Sequence, residues 1–278
     1  MSIINYQAER QILVMTKGHP FSRDDFLPLF DEIPGIAATA VEQPACQAFF
    51  EPSLAEQYEA FVCYDMPGLD FQSADEKDGL VPRYIEPSDD FKKNFLALLE
   101  RGHGFVFLHH SIAGWPAWPT YADIVGGKFL YKPGDMRGQS FVDSGYRHDT
   151  EHQITVECDH PVTEGVSASF GITDELYLSH VFADEIIPLL SSNYDYVEGN
   201  FYSAQKAVSG EMFSREGWTH APGHNLIGWV KSYGNSPIVY LQCGDSRPAY
   251  ENKNFQRLLT NAIQWVASDE AKVWARGR

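Results

Sequence analysis

Two adjacent imidazoles, His109 and His110, follow the apolar run Phe105-Val106-Phe107-Leu108 directly. In an open parallel sheet, ligands bind just beyond the carboxyl ends of strands, so this junction is a candidate site. A sharp strand-to-turn junction also favours a strained, exposed side chain. No Ser or Cys stands at the tip, which removes the usual agent of nucleophilic acyl transfer. The ends of other strands should bring His19, Asp65 and Asp245 to the same rim, with Asp174, Glu175 and Tyr177 approaching from the middle of the chain. Carboxylates orient imidazoles and adjust their pKa. An imidazole near neutrality can remove a proton beside a sugar carbonyl or deliver one to a departing oxygen. Trp115, Trp118, Tyr121 and Tyr177 offer flat apolar faces for a pyranose ring beside polar groups that fix its hydroxyls. The chemistry that these residue types point to is acid-base work on a small carbohydrate.

Each candidate also has a plainer reading. Successive strand side chains face opposite ways, so one of His109 and His110 is expected to be a core or turn histidine satisfied by the backbone. Asp65 serves equally well as a cap, Asp245 with Ser246 as a turn pair, and Asp174-Glu175 as an exposed acidic turn. Tryptophans pack more often than they bind sugar, and Trp229 and Trp265 are assigned to packing. With ten histidines and many carboxylates, a divalent metal is an alternative, but no HExxH or HxH spacing occurs. His148 and His152 stand four apart in an Asp/Thr-rich stretch that reads as a surface loop entering a strand. No metal ligands and no cofactor are therefore predicted, and the metal stays the less favoured option. The absence of GxGxxG after the first strand and of a Walker loop argues against a dinucleotide or ATP.

The elements that must position these residues alternate in the first half. Strands are expected over 11–16, 36–41, 60–65 and 105–108, and helices over 23–33 and from Ser88, with Asp89 and Asp90 in its first turn. A short helix at 118–125 leads into polar, turn-rich sequence with brief β candidates at 138–142, 153–157, 186–190 and 226–230. A buried strand at 237–243 and a helix at 252–266 restore the rhythm. Strands separated by helices mean parallel βαβ units under two helical layers. No linker, repeat or low-complexity tract divides residues 1–278, which favours one domain. A net charge of −17 and a sequence pI near 4.9 disfavour nucleic acid and anionic membranes as partners. The start has neither a basic nor an apolar leader, no stretch is apolar for long enough to span a bilayer, and a cytoplasmic protein is expected. The four cysteines lack CxxC spacing and read as free, mostly buried thiols. The apolar middle could serve a homodimer interface as well as a lid.

The chain resembles the ThuA-like, trehalose-utilisation family, whose fold is similar to class I glutamine amidotransferases. The resemblance rests on residues 102–109, on Trp118-Pro119-Thr120-Tyr121 leading to Gly126-Gly127-Lys128-Phe129, on Asp159-His160-Pro161-Val162-Thr163-Glu164-Gly165, on Asp174-Glu175-Leu176-Tyr177, and on residues 239–244 followed by Asn261-Ala262-Ile263-Gln264-Trp265. It implies a flavodoxin-like three-layer α/β sandwich with a mainly parallel sheet, elaborated by short β segments. It also implies a role in sugar metabolism, often beside oxidoreductases that form 3-keto sugars. Where amidotransferases carry a G-x-C-x-G elbow, this chain has Leu108-His109-His110-Ser111, so glutaminase activity is set aside. His109 matches the family position and is taken as the acid-base residue, assisted by Asp65, Asp174 and Glu175. His19, His110, Trp115, Trp118, Tyr121, Tyr177 and Asp245 are taken to bind substrate. The family usually ends its last strand Gly-His, where this chain has Gly244-Asp245. The expected function is action on a trehalose-type glycoside or its 3-keto derivative. The alternative is a non-catalytic sugar-binding or regulatory module.

Overall fold

The computed structural model describes residues 5–72 and 82–278. Its frame is a sheet of ten strands: β1 (Arg10–Lys17), β2 (Ile36–Glu42), β3 (Ala60–Asp65), β4 (Gly104–Leu108), β5 (Gly145–Val156), β6 (Ser169–Leu178), β7 (Ile187–Ser192), β8 (Tyr202–Ser203), β9 (Leu226–Tyr233) and β10 (Ser236–Leu241). The spatial order is β2-β1-β3-β4-β10, all parallel, continued by the antiparallel run β9-β7-β5-β6, with β8 added to β5. The parallel half has the flavodoxin-like order, with its switch point between β1 and β3. Register keeps the strand ends level: Lys17 lies opposite Asp65, and Leu241 opposite Leu108. The loops that leave β1, β3, β4 and β10 therefore emerge along one rim.

Alternation along each parallel strand feeds two cores. Ile12, Val14, Val62, Val106 and Val239 pack on one face with Phe26, Phe30 and α3 (Lys253–Val266). Leu13, Met15, Phe61, Phe105 and Tyr240 pack on the other against α1 (Asp89–Arg101) and α2 (Pro119–Val125). Two cores on one sheet make the three-layer α/β sandwich. The Ser88 hydroxyl caps α1 by accepting the Phe91 N–H at 3.2 Å, and Gly102, at φ 89°, ends it in the left-handed conformation. A final helix, α4 (Asp269–Arg276), follows α3.

Several expected elements change. The helix over 23–33 is two separate turns, Arg23–Phe26 and Pro28–Asp31, because Pro28 has no N–H to continue the ladder. The stretch holding Asp174 and Glu175 is a strand and not a turn. Its apolar alternation at Phe170, Ile172, Leu176 and Leu178 is interrupted by Asp174, which hides the period of two. His148 belongs to strand β5 and not to a surface loop. All four cysteines are free, with Cys158 half-buried and the others buried. Among the described residues no helix is long and apolar enough to cross a membrane.

Candidate active site

Three loop starts and the faces of two strands build the site. After β1 the chain turns through Lys17 and Gly18, at φ 96° and 106°, to present His19. A Cβ on Gly18 would sit 2.5 Å from the Met66 carbonyl oxygen, so only glycine fits this turn. After β4, His109 takes φ 49°, the strained geometry that a strand-tip elbow imposes. After β10, Gly244 at φ 121° swings Asp245 inward. Glu175 and Tyr177, two apart on β6, share the face turned toward these loops.

His109 is strained as expected but fully buried, not exposed. Its Nδ1 donates to the Gln242 carbonyl at 2.7 Å. Its Nε2 faces the Tyr177 hydroxyl at 2.7 Å, Glu175 Oε2 at 3.0 Å and Asp245 Oδ1 at 3.4 Å. Burial opposes its charge, but hydrogen bonding and attraction from Asp245 and Glu175 outweigh burial and hold its pKa well above the ordinary value. The imidazole is thus clamped between two carboxylates that favour its charged form. Asp245, in turn, resists the upward push of burial because His109 bonds and attracts it, and its pKa is lowered.

Asp174 lies on the opposite face of β6, fully enclosed. It accepts backbone N–H groups from Gly244 at 2.7 Å, Glu175 at 2.9 Å and Asp245 at 3.0 Å. Burial raises its pKa to about 7 against the opposing effects of His109 and these bonds. It ties the strand that carries Glu175 to the loop that carries Asp245.

The rim opens into a cavity of about 100 Å³ lined by His19, Tyr146, His148, Glu175, Tyr177 and Met212, among others. His148 Nδ1 is 3.2 Å from Glu175 Oε1, and a third of its side chain reaches solvent. One carboxylate therefore touches the buried imidazole with one oxygen and the cavity imidazole with the other. His148 faces this way because the pairing of β5 with β6 slips between Arg147 and Thr150, with Asp149 at φ 48°. Burial holds the Tyr177 phenol well above its ordinary pKa, so it remains a neutral donor.

His19, Glu175 and Asp245 each place a ligand-capable atom within 4.8 Å of the others. His110 is enclosed, stacked on His19 at 4.5 Å, with Nε2 donating to the Tyr64 carbonyl at 3.2 Å; burial keeps its pKa well below normal.

The remaining expected residues lie elsewhere. Asp65 is buried beneath the rim, where it accepts a 2.6 Å bond from Gln43 and burial raises its pKa to about 6. Trp115 and Trp118 pack on Phe91 and Phe95 at 5.4 and 5.8 Å between ring centroids, and the Tyr121 hydroxyl bonds the Ser111 carbonyl at 3.0 Å. These three rings fill the core under α1 and do not line the cavity, because the chain after β4 folds back onto that helix. Larger clefts of about 560 Å³ beside Gly171 and Asn252 and about 380 Å³ beside His180 and His220 lie outside the group around His109 and Glu175. Residues not foreseen as site members include His148, Tyr146 and Met212. The only sequence signal for the first two is their spacing of two within a strand that turn-like composition disguises.

The sequence model of the ThuA family, described as trehalose utilisation, matches residues 39–266. The chain belongs to the ThuA family. A ThuA-like protein of Parabacteroides merdae superposes with a TM-score of 0.63 at 15% identity, over 93% of this chain and 90% of that one. One from Bacteroides uniformis gives 0.61 at 16% identity over 96% and 95%. A cytoplasmic protein of Salmonella typhimurium gives 0.54 at 10% identity over 92% and 99%. These likenesses show a shared fold. No curated protein matches. ThuA membership supports a role related to carbohydrate metabolism. The matched span holds His109, His148, Asp174, Glu175, Tyr177 and Asp245, whereas His19 precedes it.

Proposed function

We propose that this ThuA-family protein moves a proton at the carbon beside the carbonyl of a keto sugar, such as a 3-keto derivative of a trehalose-type glycoside. The supporting observation is the Glu175–His148 contact, 3.2 Å, on the same cavity wall as the Tyr177 hydroxyl. The Glu175 carboxylate lies against Nδ1 of His148, which favours a proton on that nitrogen and leaves Nε2 with a lone pair, the arrangement of a general base. Nε2 accepts the proton from carbon while the carbonyl oxygen gains a proton from Tyr177. The product is an enediol; return of the proton from His148 to carbon, with the enediol oxygen giving its proton back to Tyr177, completes an isomerisation or an exchange. His109 does not act directly, because its Nδ1 is committed to Gln242 and its ring is fully buried. It holds Tyr177 and Glu175 in place. Asp174 holds the loop of Asp245, and Asp65 and the three rings of Trp115, Trp118 and Tyr121 have no part in the chemistry.

The test is incubation with 3-keto glucosides in D2O, followed by NMR. Deuterium should enter beside the carbonyl, and His148→Ala should slow its entry by about 10²- to 10⁴-fold without lowering the melting temperature. Tight binding with no exchange would instead favour a sugar-binding or regulatory module.

A further inference from the structure

We propose that His19, Glu175 and Asp245 form a divalent-cation site, two of whose members, His19 and Glu175, also line the cavity; it rests on the keto-sugar reading for its purpose but not for its existence. The three groups come from separate places in the chain, the loop after β1, the face of β6 and the loop after β10, yet their ligand-capable atoms lie within 4.8 Å of one another. The two loops are held there by Gly18 and Gly244, at φ 106° and 121°. His19 is prepared for ligation: its Nδ1 donates to the Pro20 carbonyl at 2.9 Å, which leaves Nε2 as the lone-pair nitrogen, and metal-bound histidines are oriented by this kind of backbone bond. Among the described residues neither carboxylate has a Lys or Arg partner; their ion pairs are with His109 and His148, so a bound ion would share both carboxylates with the His109 imidazole. A carboxylate offers about four lone-pair positions, so Glu175 keeps room for an ion beside its two imidazole contacts. One imidazole and two carboxylates suit a borderline or hard divalent ion, and three protein ligands leave positions open. A ketone oxygen and the neighbouring hydroxyl of a sugar could fill two of those positions as a five-membered chelate. That would hold the carbonyl within reach of Tyr177 and polarise it.

The experiment uses the untagged full chain, stripped with a chelator, titrated with Mn²⁺ under EPR and with Zn²⁺ by calorimetry. One ion per chain is expected, with binding weakened at least tenfold in Asp245→Asn and in His19→Ala. The second variant alters a partly exposed loop side chain, so it remains informative if the first fails to fold. His180→Ala, at a separate cleft, should bind as the wild type does. Failure of both ions to bind stoichiometrically, or binding indifferent to His19→Ala, overturns the site. Deuterium exchange undiminished in excess chelator would overturn the metal while leaving the keto-sugar chemistry standing. Stoichiometric ion binding without exchange on any keto sugar would do the reverse.

Discussion

The two halves of the sheet contribute to the site in different ways. The parallel half delivers His19, His109 and Asp245 from loops, by the rule that strand ends share a rim. The antiparallel half delivers His148, Glu175 and Tyr177 from within strands, by pleat and bulge. Loops after parallel strands supply the charged floor, and the antiparallel strands supply the wall that faces the cavity. On the floor His109 is fully buried and strained, whereas on the wall a third of the His148 side chain reaches solvent. A reactive group therefore has access from the wall, and the floor serves to fix it.

The contrast predicts a difference between two histidines. His109→Ala, on the floor, leaves Glu175 and Asp245 without their buried counter-charge and should cost about 3–5 kcal/mol of stability, read by denaturant unfolding, as well as activity. His148→Ala should lose the activity alone. Equal stability of the two variants would break the division between floor and wall.

Asp65 sharpens it at the rim. Its folded pKa of about 6 lies above the ordinary 3.8, so the folded state holds a proton that the unfolded chain releases. Between those values stability falls as pH rises, and above the upper one a cost on the order of 3 kcal/mol persists. Asp65→Asn should reduce the slope between pH 4 and 6, leaving the share that Asp174 contributes, raise stability at pH 8 and leave deuterium exchange unchanged. An unaltered slope, or a loss of exchange, would contradict the assignment.

Much of the frame was legible in the sequence. The strand at 60–65, the capped helix after Ser88 and the closing helix announce themselves through apolar period and through Ser88 and Asn252 as caps. The parallel rim, with His19, His109 and Asp245, follows from that pattern. The wall was not legible, because pairing between β5 and β6 is a tertiary fact. Nothing local to His148-Asp149-Thr150 reveals a bulge, and a buried Asp174 breaks the alternation that would have marked its strand. The aromatic residues failed for a related reason. A tryptophan near a strand end reads alike whether it meets a sugar or Phe95, and only the path of the chain after Ala113 decides between them.

The cavity's size carries a consequence for selectivity. At about 100 Å³ it is well below the roughly 300–1,000 Å³ that encloses a whole drug-sized ligand. On the proposed keto-sugar chemistry, only the reacting edge of one ring fits inside, and the remainder of a disaccharide would protrude past Met212 into water. Discrimination then falls on the few oxygens nearest the carbonyl, and glycosides that differ solely in the outer group should exchange deuterium at rates within about tenfold of one another. On the proposed keto-sugar chemistry, such a site reads the oxidised ring and ignores what hangs from it.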